Sequence, residues 1–277
     1  MRRILFAVLL LPVCAAATAA HPGVGIVVDR EGSVFYTDLK NVWRIAPDGR
    51  KSVAVPDVHT HELALDESGG LVGEDSEYLG GDRYRHRVWR RSPAGLVTDL
   101  VPWRDGFWRD YSFVRGRGGV SYLVRCEEVT FCTVLRRTPD GRVSDAAPGV
   151  RFGRGLSWLA AAPGGGFYAA SGRDLWRVDA RGRAKVLARG LGVEGQAGVM
   201  GMWPDARGNV YVAVYGSRTV ERVSPLGRVT TVARSRPPWS PTGVVKAADG
   251  DLWVLEYSAS NEARVRRINR GGRAAIY

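Results

Sequence analysis

The stretch DARGNVYVAVYGSRTVERVSPLGRVTTVA, from Asp205 to Ala233, contains two turns and the strands that they join. The strand NVYVAVY follows the turn glycine Gly208 and is apolar on both faces. A sheet packed between two other sheets needs such a strand, whereas a one-sided sheet alternates apolar and polar residues. The next segment alternates in polarity and ends in a turn at Gly227, which is typical of a β-hairpin.

The same pair of turns occurs six times along the chain. The first glycine of each unit is followed two residues later by an apolar strand, and these glycines are Gly32, Gly69, Gly118, Gly165, Gly208 and Gly250. A second glycine ends an alternating segment in each unit, at Gly49, Gly95, Gly141, Gly182, Gly227 and Gly272. Each unit therefore holds four short strands, and repeated units of this size stack to bury a shared core.

This repeat predicts an all-β fold, a six-bladed β-propeller of four-stranded antiparallel blades. A β-sandwich with chance repeats is the alternative. The blades are expected at about 22–57, 58–103, 104–150, 151–192, 193–236 and 237–277, all within a single domain of residues 21–277.

Residues 1–20 have the features of a secretory signal peptide. Arg2 and Arg3 precede an apolar run from Ile4 to Leu11, and small residues allow cleavage after Ala19 or Ala20. The run is too short for a permanent membrane anchor, and no transmembrane segment is expected elsewhere. Lipidation at the cysteine of LPVC is the alternative, although a valine occupies a position where that signal has a small residue. The sequence thus predicts a periplasmic or secreted protein.

Cys126 and Cys132 are the cysteines that remain after removal of the signal peptide. In an oxidising compartment they are expected to form a local disulfide in blade 3. They lack the partner cysteines and histidines of a zinc site.

The chain is basic, with a formal net charge of +12, and nearly all of its basic residues are arginines. Genome base composition explains such an excess as readily as a selected patch does. The arginines are spread over all six blades, whereas nucleic-acid binding needs a clustered stripe. We therefore expect no nucleic-acid partner.

Three acids share one position, six residues after the first glycine of their blades: Asp38, Asp75 and Glu256. These blades are 1, 2 and 6, which are neighbours once the ring is closed. A divalent cation such as calcium or magnesium suits carboxylates that converge on a channel mouth. Arginines that neutralise the acids, or backbone amides that they cap, are the alternatives.

Blade 2 contains the cluster HTHEL, in which His59 and His61 precede Glu62. Histidine exchanges protons near neutral pH, and Glu74 lies across the same blade. A histidine beside a carboxylate suggests a general base, which makes His59, His61 and Glu74 the candidate catalytic residues. On a strand the two histidines point the same way. A solvated histidine pair in a loop is the alternative.

The segments from Asp205 to Ala233 and from Pro241 to Ser258 (PTGVVKAADGDLWVLEYS) resemble NHL-type repeats and the related senescence-marker/gluconolactonase propellers. That resemblance implies one divalent cation at the channel mouth, held by acids and amides that begin inner strands. Asp110 and, less closely, Glu62 match those positions, whereas Met200 and Thr242 occupy two others.

The chain also resembles the streptogramin B lyases. That resemblance implies a site in which a histidine beginning an inner strand and an acid ending the next strand surround magnesium. His61 matches that histidine and Asp75 the acid, while His59 falls where a further acid is expected. The lyases have seven blades, whereas six are predicted here.

The sequence allows two functions and favours the first, because the metal-ligand positions that the resemblances imply are only half filled. The first is an exported binding module, a monomer whose channel-mouth face takes a small molecule, a glycan or a protein. The second is a divalent-metal-dependent hydrolase or lyase, lactonase-like or streptogramin-lyase-like.

Overall fold

The structure is a computed structural model, and it describes residues 22–81, 83–106, 113–127, 131–153, 156–194 and 198–277. Six small antiparallel sheets of four strands make up the fold, which confirms the predicted six-bladed β-propeller. Blade 1 contains β1 (Ile26–Val28), β2 (Val34–Thr37), β3 (Val42–Ile45) and β4 (Lys51–Val55). Blade 2 contains β5 (Leu63–Leu65), β6 (Leu71–Gly80), β7 (Arg83–Arg91) and β8 (Val97–Asp105).

The other four blades follow in chain order. Blade 3 contains β9 (Ser121–Glu127), β10 (Phe131–Arg137), β11 (Val143–Asp145) and β12 (Phe152–Gly153), and blade 4 contains β13 (Leu156–Ala161), β14 (Phe167–Ser171), β15 (Asp174–Val178) and β16 (Ala184–Ala188). Blade 5 contains β17 (Val199–Pro204), β18 (Val210–Val214), β19 (Thr219–Val223) and β20 (Val229–Arg234), and blade 6 contains β21 (Ser240–Lys246), β22 (Leu252–Tyr257), β23 (Ala263–Ile268) and β24 (Ala274–Ile276).

The first strands of neighbouring blades lie against one another around a central axis. Strand β17 contacts both β13 and β21, and β1 contacts both β5 and β21, so the last blade closes on the first. At this closure a Cβ atom on Gly243 would lie 2.4 Å from the carbonyl oxygen of Val24. Only glycine allows two inner strands to approach this closely.

The core lies between the blades rather than on one face of a sheet. Every residue of β18 is buried, as its apolar sequence on both faces predicts. One cluster joins blades 6 and 1 and includes Tyr36, Ile45 and Leu255, and another joins blades 1 and 2 and includes Phe35 and Trp89. Each blade thus buries its two faces against its two neighbours.

The repeated glycines occupy tight turns that need a positive φ. Gly208 has φ 78°, and its N–H donates to the carbonyl of Asp205 at 2.9 Å. The Asp205 carboxylate accepts from the N–H groups of Arg207 and Asn209 within the same turn. Such a turn fixes where the first strand of a blade ends and the second begins.

Blade 3 is the least regular of the six. Its innermost segment is represented by a single bridge between Arg115 and Ser121, and β12 extends the sheet beside β10. Cys126 and Cys132 lie directly opposite each other on β9 and β10 and are joined by a disulfide, as predicted. Among the described residues no helix is long and apolar enough to cross a bilayer.

Candidate functional site

The two rims of the propeller differ in what they contain. We call the rim where first strands begin and second strands end the mouth rim, and the rim with the glycine turns the turn rim. Between them runs a central cavity of about 660 Å³, to which all six blades contribute, for example through Ile26, Leu63, Val114, Leu159, Met202 and Val244. Glu62, one residue before β5, places an acid on this largely apolar wall at the mouth rim.

Glu74 organises the segment that carries the histidines. Its side chain is 1% exposed, and its Oε1 accepts from the backbone N–H groups of His61 and Glu62. The same oxygen lies 3.4 Å from Nδ1 of His61, whose side chain is 34% exposed. A buried carboxylate therefore fixes a histidine that reaches solvent.

The two histidines lie beside each other, although not on a strand as assumed from the sequence. The centroids of the His59 and His61 rings are 4.7 Å apart with an edge-on arrangement. They precede strand β5, which begins at Leu63. Their alignment thus comes from hydrogen bonds rather than from a strand: the N–H of His59 donates to Asp75 Oδ1 at 2.9 Å, and its Nδ1 lies 3.1 Å from the carbonyl of Leu39.

Thr60, between the two histidines, fixes their segment through hydrogen bonds that sequence reasoning missed. It is fully buried, and its hydroxyl donates to the Glu74 carbonyl. The indole of Trp89 donates to that carbonyl at 3.0 Å, and the hydroxyl of Thr37 donates to the carbonyl of Thr60 at 2.6 Å. Gly73 leaves the space that the Trp89 ring fills. The position of Thr60 between two histidines was the available signal.

Glu62 has a shifted pKa. Burial against the channel wall, followed by the negative charge of Glu74, raises the pKa of the Glu62 carboxyl to about 8. The site therefore combines a carboxyl group that holds its proton near neutral pH with a histidine paired to a second carboxylate. Groups of this kind give and take protons in general acid–base chemistry.

The three acids that the sequence assigns to a metal are each bound by protein groups. Asp38 caps the β2–β3 turn, where its oxygens accept from the N–H groups of Lys40 and Asn41 and from the Trp43 indole at 2.6 Å. Asp75 accepts from Arg87 at 3.0 Å through its second oxygen.

Glu256 is completely buried and paired with two arginines. Its Oε2 lies 2.7 Å from Nε of Arg264, and its Oε1 lies 2.8 Å from Nη2 of Arg266. The hydroxyl of Ser235 donates to Oε1 at 2.6 Å. This arrangement corresponds to the alternative in which arginines neutralise the acids.

The described residues contain no group of three or more histidine, cysteine or acidic side chains that could hold a metal ion. The donors around Asp38 and Glu256 already occupy the oxygens that a cation would need, so these acids do not fit the predicted metal site. Asp110, the remaining predicted ligand, lies outside the described residues. A divalent cation therefore stays a prediction.

No protein-family model matches the chain, and no curated protein matches it in sequence. Solved structures do match it. The virginiamycin B lyase from Staphylococcus aureus is 15% identical, with 95% of this chain and 85% of the lyase covered and a TM-score of 0.56. Regucalcin from Agrobacterium tumefaciens, a calcium-binding protein, is 20% identical, with 86% and 83% covered and a TM-score of 0.56.

A gluconolactonase from Xanthomonas campestris is 15% identical, with 85% of this chain and 83% of that chain covered and a TM-score of 0.58. At these identities the matches concern the fold. The chain shares the β-propeller architecture of streptogramin B lyases, regucalcin and gluconolactonases.

Proposed function

We propose that the protein is an enzyme that cleaves the ester bond of a cyclic ester at the mouth rim of its channel. The observation that carries the proposal is the pair formed by His61 and the buried carboxylate of Glu74, beside the channel-lining Glu62. The similarity in fold to a virginiamycin B lyase and a gluconolactonase agrees with this class of substrate.

In this proposal His61 is the base, and Glu74 orients its imidazole and stabilises the cation that forms. For hydrolysis, His61 takes a proton from water while the water oxygen bonds to the ester carbonyl carbon. For elimination, it takes a proton from a substrate carbon. Hydrolysis breaks the acyl C–O bond and elimination breaks the alkyl C–O bond, and in each case Glu62 gives its proton to the oxygen that leaves.

The experiment uses the purified mature protein with gluconolactone and with virginiamycin B, and follows ring opening by mass spectrometry. Hydrolysis adds one water to the product, whereas elimination leaves the mass unchanged. His61→Ala and Glu74→Gln should each lower kcat/KM by 10²-fold or more, the usual size of a general-base contribution. Glu77→Gln is the control, because Glu77 lies on the same strand and pairs with the partly exposed Arg85.

Absence of ring opening with all substrates, or equal activity in the His61→Ala and control proteins, would overturn the proposal. Metal analysis of the purified protein, followed by thermal shifts with calcium, magnesium and a chelator, tests the predicted cation separately.

A binding module is the second candidate, and the long β6–β7 hairpin favours it. Trp103, on the adjacent strand β8, is partly exposed and lies under the guanidinium groups of Arg85 and Arg87 on β7, 4.6 and 5.1 Å from its ring centroid. Tyr78, on β6 of the hairpin, is 60% exposed. Aromatic faces of this kind stack on sugars and other rings. Loss of glycan binding in Trp103→Ala, with unchanged ring opening, would assign binding to the surface that β8 forms with this hairpin.

We also infer that the protein is exported, since an N-terminal segment with signal-peptide features precedes a domain containing a disulfide. Cell fractionation with an antibody against the propeller tests this inference, and a full-length cytoplasmic product would contradict it.

A further inference from the structure

A second cavity lies at the turn rim, between blades 1 and 2 and on the opposite side of the propeller from the histidines. Its volume is about 480 Å³, which is enough for a small organic molecule. Turns of both blades form its edge, and Phe35, Leu65 and Leu71 contribute an apolar wall. Arg44 and Arg91 also line it.

Arg91 occupies a position that is aliphatic in blades 1, 4, 5 and 6 and is an arginine, Arg137, in the less regular blade 3. In each regular blade this residue lies on the third strand and pairs with the first residue of the second strand, as Arg91 does with Leu71. The equivalent residues Ile45, Val178 and Val223 are fully buried between blades. A guanidinium group therefore replaces an alkyl group that would fill the space next to blade 1.

The surroundings of Arg91 leave its charge poorly compensated. Its Nε is buried without a hydrogen-bond partner, and its Nη1 lies 3.4 Å from the carbonyl of Ser92. Burial, and then the positive charge of Arg44, lowers the pKa of Arg91. Arg91 is only partly buried, but its Nε is shielded from water without a partner in the described chain, and an anion at this point would satisfy that donor.

Arg44 faces the same cleft from blade 1. Its Nε and Nη2 donate to the hydroxyl of Ser33 at 3.2 and 2.9 Å. In blades 2 and 6 the arginine at the equivalent position pairs with an acid, Arg90 with Asp66 and Arg267 with Asp251. Within the described chain, no carboxylate lies within 4 Å of a nitrogen of Arg44 or Arg91.

The acids that line the cavity are directed elsewhere. Asp66 accepts from Arg90, Ser68 and Gly70, which also hold the pKa of its carboxyl at about 2. Asp29 accepts from the N–H of Ser33. Glu31 is exposed at the edge of the cavity and makes no ion pair within the part of the chain described.

We propose that this cleft is an anion-binding site, in which Arg44 and Arg91 hold the carboxylate or phosphate of a small molecule whose apolar part lies against Phe35, Leu65 and Leu71. Guanidinium groups present paired donors that match both oxyanions. A carboxylate and a phosphate share this chemistry, and binding of benzoate and of inorganic phosphate distinguishes them.

The test uses the mature protein and three probes at constant ionic strength: benzoate, its neutral analogue benzamide, and inorganic phosphate. Benzoate or phosphate should bind in calorimetry and raise Tm, whereas benzamide should do neither. The oxyanion that binds more tightly identifies the source. Arg91→Ile, which introduces the residue type of blade 1, should weaken anion binding at least tenfold while Tm without ligand stays equal or rises.

Arg44→Gln should weaken binding in the same direction and provides a second variant if Arg91→Ile folds poorly. Arg177→Gln is the matched control, because Arg177 occupies the Arg44 position in blade 4 and donates to the carbonyls of Gly165 and Phe167. Absence of oxyanion binding by the native protein, or equal binding by native protein and Arg91→Ile, would overturn the proposal. Both results are independent of ring opening at the mouth rim.

Discussion

Replacement of Glu256 by glutamine should destabilise the propeller strongly, because it removes the charge but keeps the shape. Glu256 is 0% exposed, while the side chains of Arg264 and Arg266 are 23% and 15% exposed. Removing one partner of a buried ion pair costs about 3–5 kcal/mol. The two guanidinium groups retain some contact with water, so we expect the lower end, about 3 kcal/mol. For a domain of this size that corresponds to roughly 6–12 °C in Tm.

The assay is equilibrium unfolding in urea and differential scanning calorimetry, each in the presence of calcium, magnesium or EDTA. Glu262→Gln is the control, because Glu262 is exposed on the neighbouring turn and its replacement should change the free energy of unfolding by less than about 0.5 kcal/mol. The predicted loss should be the same with and without cations.

Two results would refute this reasoning. A loss of less than about 1 kcal/mol would show that the two arginines do not depend on the Glu256 charge. Stabilisation of the native protein by calcium or magnesium, absent in Glu256→Gln, would instead make Glu256 a metal ligand, as the sequence predicts.

Three further predictions concern other parts of the chain. Because the folded state raises the pKa of Glu62 from 4.5 to about 8, its contribution to stability is complete below pH 4.5 and is lost as pH rises through 8; Glu62→Gln should flatten this part of the curve of unfolding free energy against pH in urea titrations. Cys126→Ser combined with Cys132→Ser should lower the free energy of unfolding by about 2 kcal/mol, as expected for a short closed loop, and reductant should then have no effect on Tm. The N-terminus of the exported protein, read by mass spectrometry, should follow Ala19 or Ala20, and an intact leader would contradict the signal peptide.

The fold could be predicted because its determinants are local. The turn at Asp205 and Gly208 needs only a carboxylate that caps two N–H groups and a residue that accepts a positive φ. The positive-φ glycine recurs in all six blades, and this repeat sets the strand order without any knowledge of long-range contacts. Blade 3 departs from the pattern at the single bridge between Arg115 and Ser121, because a local signal does not fix how an inner segment pairs.

The candidate site could be predicted in part. His61 and Glu74 lie on the first and second segments of one blade, so antiparallel pairing brings them to the same rim. The role of Thr60 and Trp89 could not be predicted in this way. It depends on the Trp89 ring filling the space above Gly73, a packing detail that polarity patterns do not contain.

The arginine partners of the acids were easier to predict than the chemical role of the acids, because strand register places each arginine opposite its acid. Asp75 pairs in register with Arg87 on the next strand, and Glu256 pairs in register with Arg264. Counting residues away from the turn that joins the second and third strands of a blade therefore places an arginine opposite the acid in blades 2 and 6. Base composition alone explains the arginine excess equally well, but the excess has a structural use. Cross-strand arginines neutralise acids at the mouth rim. Arg44 and Arg91 instead face the turn-rim cavity, and among the described residues neither has an acid as a partner.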